Sequence, residues 1–243
     1  MASYLLVHGS WHGGWCWDEV KDILEGDGHT VFAPTLLGMD YRNESVPRDV
    51  GLREHVEFIE DFIIKNNLDD FILVGHSYAG MIVTWLALKI PGKISKLVYL
   101  DAFLPEPGQS LFDISPPERV EAMEKSLIDE NGQTSEQGGN NPYLLPIRSP
   151  ETFGITAPEM RKRIMDKLVP TPVKTFSDKI DHGTIPPSLS KIYIRCTECS
   201  LFEKFEIKAK EKGFLMYQIK TGHDAMIIKP EELAYIFENL LLV

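Results

Sequence analysis

Short apolar runs alternate along this chain with longer stretches in which apolar positions recur every three or four residues. The runs Tyr4–Val7, Thr30–Ala33, Phe71–Val74, Lys96–Leu100, Lys191–Arg195 and Gly213–Gln218 are rich in Val, Ile, Leu, Phe and Tyr. That pattern predicts strands, most of them buried on both faces. Helical periodicity is expected over Cys16–Glu25, Leu52–Lys65, Ala79–Lys89, Phe202–Lys212 and Pro230–Leu241. The last opens with Pro230-Glu231-Glu232, where proline presets φ and the carboxylates complement the helix dipole. Alternation of this kind predicts the α/β class: a mostly parallel central sheet flanked by helices.

The rhythm breaks between residues 105 and 187. Prolines concentrate there, Gln133–Asn141 is rich in Gly, Asn and Gln, and Pro117–Leu127 and Ala157–Leu168 are amphipathic. The segment lies between two predicted strands, so it is expected to be an insertion into a core of residues 1–104 and 188–243. Insertions at the carboxyl edge of a parallel sheet land over the ligand crevice. Its helices carry too many apolar residues to lie free in water, which makes a helical lid the expectation.

Composition narrows the function classes. The 243 residues are 43% hydrophobic and 25% charged, enough apolar material for one large domain. A net charge of −11 argues against nucleic-acid or anionic-membrane partners, which need a basic patch. No apolar run reaches the roughly eighteen residues of a membrane span. A strand begins close behind Met1, so a cytoplasmic location is expected; a homodimer is left open. Cys16, Cys196 and Cys199 are an odd number, and Cys196-x-x-Cys199 has no second pair. Neither a disulfide framework nor a metal or redox cofactor is expected.

Candidate chemistry centres on Gly75-His76-Ser77-Tyr78-Ala79-Gly80, between a predicted strand and a predicted helix. Such a turn lifts a serine off the sheet edge, and small flanking residues allow the close approach. The pattern departs from G-x-S-x-G by one residue, Ala79. A serine nucleophile needs a base, and His223 in Thr221-Gly222-His223-Asp224-Ala225-Met226 lies past the last strand, at the same edge. His76 is expected to be structural, and His29, His55 and His182 to be surface or packing residues. Two backbone N–H donors must face a developing oxyanion. Tyr78 is one candidate, and Ser10 in His8-Gly9-Ser10-Trp11-His12-Gly13-Gly14-Trp15-Cys16-Trp17 is the other. Trp11, Trp15 and Phe103 are candidate pocket walls, with simple packing an equal alternative for the two tryptophans. Two carboxylates compete to orient His223: Asp101, ending the strand Leu97–Leu100, and Glu198, in the loop where such an acid usually stands. Asp101 is the first choice, because a carboxylate ending a buried strand needs a partner, and the choice stays open.

Together these motifs make the chain resemble the α/β-hydrolase superfamily along its whole length. It is most similar to the branch of plant methylesterases and hydroxynitrile lyases and bacterial carboxylesterases of the pyrethroid-hydrolase type. The residues that carry this are Val7-His8-Gly9, His12-Gly13-Gly14-Trp15, Pro34-Thr35-Leu36-x-Gly38, Gly75-His76-Ser77, Tyr99-Leu100-Asp101-Ala102-Phe103 and Gly222-His223-Asp224-Ala225-Met226. The resemblance implies Ser77 as nucleophile, His223 as general base, and Ser10 and Tyr78 as oxyanion donors. The plant enzymes carry an aspartate where Cys199 stands, so their acid does not transfer. Hydroxynitrile lyases place lysine after the histidine and threonine at the position of Gly9, so Asp224 and Gly9 disfavour cyanohydrin cleavage.

The expected function is a serine carboxylesterase acting on small to medium, largely apolar carboxylic esters through an acyl-serine intermediate. Its expected partner is a small-molecule ester. The altered acid loop motivates an alternative, a lyase, cyclase or cofactor-free oxygenase in the same pocket. The insertion motivates another, a ligand-binding sensor without turnover.

Overall fold

A computed structural model describes residues 1–42 and 46–242; residue 243, the last of the expected core, lies outside the described residues. Among the described residues eight strands form: β1 (Ser3–Val7), β2 (Thr30–Phe32), β3 (Phe71–His76), β4 (Ile94–Leu100), β5 (Leu144–Leu145), β6 (Thr171–Pro172), β7 (Ser190–Cys196) and β8 (Leu215–Ile219). Six of them build one parallel sheet in the order β2-β1-β3-β4-β7-β8. All six strands expected from the sequence are in it. The order reverses at β1: the chain steps to β2 on one side, then returns to β3 on the other. Parallel sheets bind ligands at such a switch point, outside the carboxyl ends of the strands.

Register brings those ends level. Val7 pairs with Gly75, Gly75 with Tyr99 and Tyr99 with Tyr193. The loops carrying Ser10, Ser77, Asp101 and Cys199 therefore leave one edge of the sheet together.

Helices α1 (Asp18–Gly26), α2 (Leu52–Lys65) and α3 (Ala79–Lys89) precede the inserted segment, which carries α4 (Pro117–Lys125), α5 (Pro158–Met165) and α6 (Lys174–Ser177). Then come α7 (Glu203–Glu211), α8 (Ala225–Ile228) and α9 (Pro230–Asn239). α1 packs on α9, and α3 packs on α2, β3 and β4. Every residue from Ala79 to Ala87 is buried, as its continuous apolar sequence requires.

Boundaries differ from the sequence pattern where local geometry intervenes. The first expected helix splits into a 3-10 turn, Gly14–Trp17, and α1. β8 starts at Leu215 rather than Gly213, because Gly213 adopts φ +74° and turns the chain. Within the insertion, β5 and β6 pair antiparallel and α6 makes a single turn. Elements this short leave no periodicity to read. Among the described residues no helix is long and apolar enough to cross a membrane.

Candidate active site

Ser77 follows β3 directly and takes φ +56°, in the left-handed region that costs a non-glycine residue strain. The strain is held by contacts around it. Its N–H bonds the Leu100 carbonyl at 3.3 Å, and its carbonyl accepts from Gly80 and Phe103, each at 3.1 Å. A Cβ on Gly75 would meet the Val83 side chain at 2.7 Å, and one on Gly80 would meet the Phe103 carbonyl oxygen at 2.0 Å. The glycine three residues past the serine is therefore where β4's exit crosses the new helix.

The loop after β1 closes on the serine from the other side. A Cβ on Gly9 would lie 2.8 Å from that of Ser77, so this position stays bare. Trp11, at φ +66°, donates its N–H to Thr171 Oγ1 at 2.9 Å. The backbone N–H groups of Ser10 and Tyr78 make no hydrogen bond within the described residues. Two free donors thus flank the serine turn.

His223 donates from Nδ1 to Asp101 Oδ2 at 2.7 Å. Asp101 is fully buried at φ +39°, and its other oxygen accepts from Arg195 at 2.8 Å and from the Cys196 N–H at 3.1 Å. Arg195 also bonds the carbonyls of Cys196 and Cys199. The guanidinium thus balances the buried carboxylate and shapes the loop after β7. Burial alone would lower the His223 pKa. The Asp101 and Cys199 hydrogen bonds and the charges of Asp101 and Asp224 outweigh it and raise the pKa above the ordinary 6.5. Phe202 stacks on the imidazole at 4.7 Å with an interplanar angle of 7°.

Behind this pair lies a buried histidine layer. His76 Nε2 donates to the His223 carbonyl at 3.1 Å, and burial holds its pKa well below the usual imidazole range. His12 joins the Ser10 carbonyl and Asp224 Oδ2, each at 2.9 Å. His55 bonds the Tyr78 hydroxyl at 3.0 Å. His29 contacts Glu238 near the N-terminus, and His182 lies against Gly108.

Ser77 and His223 face one cavity of about 390 Å³, with Ser10, Trp11, Phe103 and Glu198 also on its walls. Glu198 is exposed at the rim and makes no bond to His223, whereas Asp101 does. Trp15, expected as a wall, is not among the lining residues; it stacks on His12 at 5.5 Å and borders a separate cavity with Cys16. The 3-10 turn Gly14–Trp17 directs it there. Lining residues that sequence reasoning missed are Arg119, Arg148, Phe153, Phe176 and Phe202. They sit on elements of the insertion and on the turn before α7, and no motif marks them.

Among the described residues two donor sets are close enough to hold a metal ion: Asp101, Cys199 and His223, and His76, His223 and Asp224. Both share His223. In the first, the Asp101 charge is already taken by Arg195. A cation there would meet a buried guanidinium, so the donor set does not favour one.

A serine on a strained strand-to-helix turn and a histidine–carboxylate pair at the same edge of the sheet define a hydrolase-type site. The model of the Alpha/beta hydrolase family matches residues 4–234, and the chain belongs to that family. It is 34% identical over 241 residues to the carbendazim hydrolyzing esterase of Nocardioides sp. (strain SG-4G), covering 96% of this chain and 97% of that protein. Methylesterase 9 of Arabidopsis thaliana is 32% identical over 260 residues, covering 96% and 95%. Among solved structures, an extracellular alpha/beta-hydrolase from a Paenibacillus species superposes with a TM-score of 0.83 at 25% identity, covering 98% of both chains. That protein is described as sharing structural and functional homology with tobacco salicylic acid binding protein 2.

Proposed function

We propose that this chain is a serine carboxylesterase. Ser77 Oγ attacks the ester carbonyl while His223 Nε2 takes its proton. The Ser10 and Tyr78 N–H groups stabilise the oxyanion, and Asp101 stabilises the imidazolium. His223 returns the proton to the departing alkoxide, leaving acyl-Ser77. A water molecule, deprotonated by the same imidazole, then releases the acid and restores the serine. The observation that carries this reading is the 2.7 Å His223–Asp101 bond beside a serine at positive φ, both opening on one cavity. The esterase names of full-length relatives support the same chemistry.

The cavity has the size of a small-ligand site, and Trp11, Phe103, Phe153, Phe176 and Phe202 supply apolar wall. Small to medium esters with apolar chains suit it. Arg119, Arg148, Phe153 and Phe176 come from residues 105–187, which supports a lid role for that segment. Three free cysteines fit a reducing cytoplasm.

Purified protein is expected to release product in a burst from activated esters and to be labelled by a fluorophosphonate, both lost in Ser77→Ala. Turnover that persists in Ser77→Ala would overturn the acyl-enzyme route.

A further inference from the structure

Two guanidinium groups line the serine cavity without a countercharge among the described residues. Arg42, Arg48, Arg53, Arg161, Arg163 and Arg195 each pair with an Asp or Glu carboxylate. Arg119 and Arg148 form no ion pair and no side-chain hydrogen bond among the described residues. Both are half-buried. The chain has 36 acidic and 25 basic side chains, so carboxylates are in excess, yet none among the described residues is supplied here. Glu198, on the same cavity, stays exposed and bonds neither arginine.

Arg119 lies on α4, and Arg148 lies between β5 and the 3-10 turn Pro150–Phe153. Both line the cavity of Ser77 and His223, and both also line a second cavity of about 490 Å³ walled by Met123, Leu145 and Ile147. They therefore stand at the boundary between the two spaces. The Arg148 guanidinium sits 5.1 Å over the ring of Trp11, which follows the oxyanion candidate Ser10. Trp11 itself carries an indole N–H without a partner. Burial lowers the pKa of both arginines, and the Arg148 charge lowers that of Arg119 further. Two half-desolvated like charges are costly unless an anion joins them, and a guanidinium fork suits a carboxylate.

We infer that Arg119 and Arg148 form a subsite for a carboxylate carried by the ester substrate. The natural substrate class is then an ester with a second, free carboxylate, such as a half-ester of a dicarboxylic acid. This rests on the esterase reading above and narrows its substrate.

The test compares monomethyl glutarate with its neutral isostere, methyl 4-carbamoylbutanoate, on the full chain. Wild type is expected to favour the anionic ester in kcat/KM by roughly tenfold or more, the worth of a hydrogen bond to a charged group. In the Arg119→Gln/Arg148→Gln double variant that ratio is expected to fall to about one. Glutarate is expected to slow fluorophosphonate labelling of Ser77 in wild type, and glutaramide is not. Equal use of both esters together with no protection by glutarate would overturn the subsite. Stronger protection by inorganic phosphate than by glutarate would overturn the carboxylate assignment. If the double variant does not fold, the wild-type ester ratio and the protection experiment still decide. Absence of labelling would sink the esterase reading alone, and calorimetric titration of glutarate into wild type then decides the subsite: binding sustains it and no heat overturns it.

Discussion

Asp101 and His223, 122 positions apart in the chain, meet at 2.7 Å across the carboxyl edge of the sheet. The contact depends on three strand ends. β4 delivers Asp101, β8 leads to the His223 loop, and β7 between them contributes Arg195, which holds the second carboxylate oxygen. One oxygen answers the imidazole and the other a guanidinium, so a fully buried charge has both partners it needs.

Asp101→Asn is expected to lower kcat by roughly three to four orders of magnitude, as loss of an orienting acid does in a triad. Glu198→Gln, exposed and unbonded to the histidine, is expected to stay within about twofold of wild type, in the range of surface substitutions. Steady-state kinetics on one activated ester checks both. The opposite ranking would move the acid to the loop after β7.

Neutral His223 is the form that accepts the serine proton, so kcat/KM falls as pH drops through its pKa. With that pKa raised, the fall is expected above pH 6.5. Asp101→Asn removes a raising interaction and should move the inflection to lower pH. The same shift bears on stability. A folded-state pKa above the unfolded one means the native protein holds this proton more tightly. The stability it contributes is complete below about pH 6.5 and is lost as pH rises through the folded value. A pH–rate profile paired with thermal melts across pH reads both effects.

The sheet was legible because its strands are continuous apolar runs, and Ser77 and His223 because a strand-to-helix turn and a loop past the last strand leave local marks. The Asp101 partnership was not legible from spacing, since parallel register alone levels β4 with β7 and β8. Whether Trp15 walls the pocket or packs was not legible either, because the 3-10 turn Gly14–Trp17 that sets its ring against His12 leaves no sequence period. Arg119 and Arg148 carried no signal at all: an exposed and an inward-facing arginine read alike until the insertion folds over the edge.

Gly80→Ala is expected to be far more damaging than Ala79→Gly. A Cβ at residue 80 would lie 2.0 Å from the Phe103 carbonyl oxygen, which is backbone and has little freedom to yield. Overpacking of this kind costs about 1–3 kcal/mol or more, whereas glycine for alanine in a helix costs roughly 1 kcal/mol. Because Phe103 also bonds the Ser77 carbonyl, Gly80→Ala should lose activity along with stability. Denaturant unfolding and ester turnover on the two variants provide the comparison.

His12 and Asp224 form a further buried pair, 2.9 Å apart and almost wholly inaccessible to solvent. Both ring nitrogens of His12 face oxygen acceptors, Asp224 on one side and the Ser10 carbonyl on the other. The pair therefore ties the residue next to the proposed base to the loop of the proposed oxyanion donor. Asp224→Ala strands His12 beside an empty site, and His12→Ala leaves a buried carboxylate without its closest partner. Each single change is expected to cost about 3–5 kcal/mol, as breaking a buried pair does. Removing both leaves no orphaned charge, so the double variant should lose less than the sum of the singles. Chemical denaturation of the four proteins measures that coupling, and strict additivity would show that the pair does not act as a unit. Activity should follow the Ser10 loop rather than stability alone: at a temperature where all four remain folded, His12→Ala is expected to lower kcat more than KM.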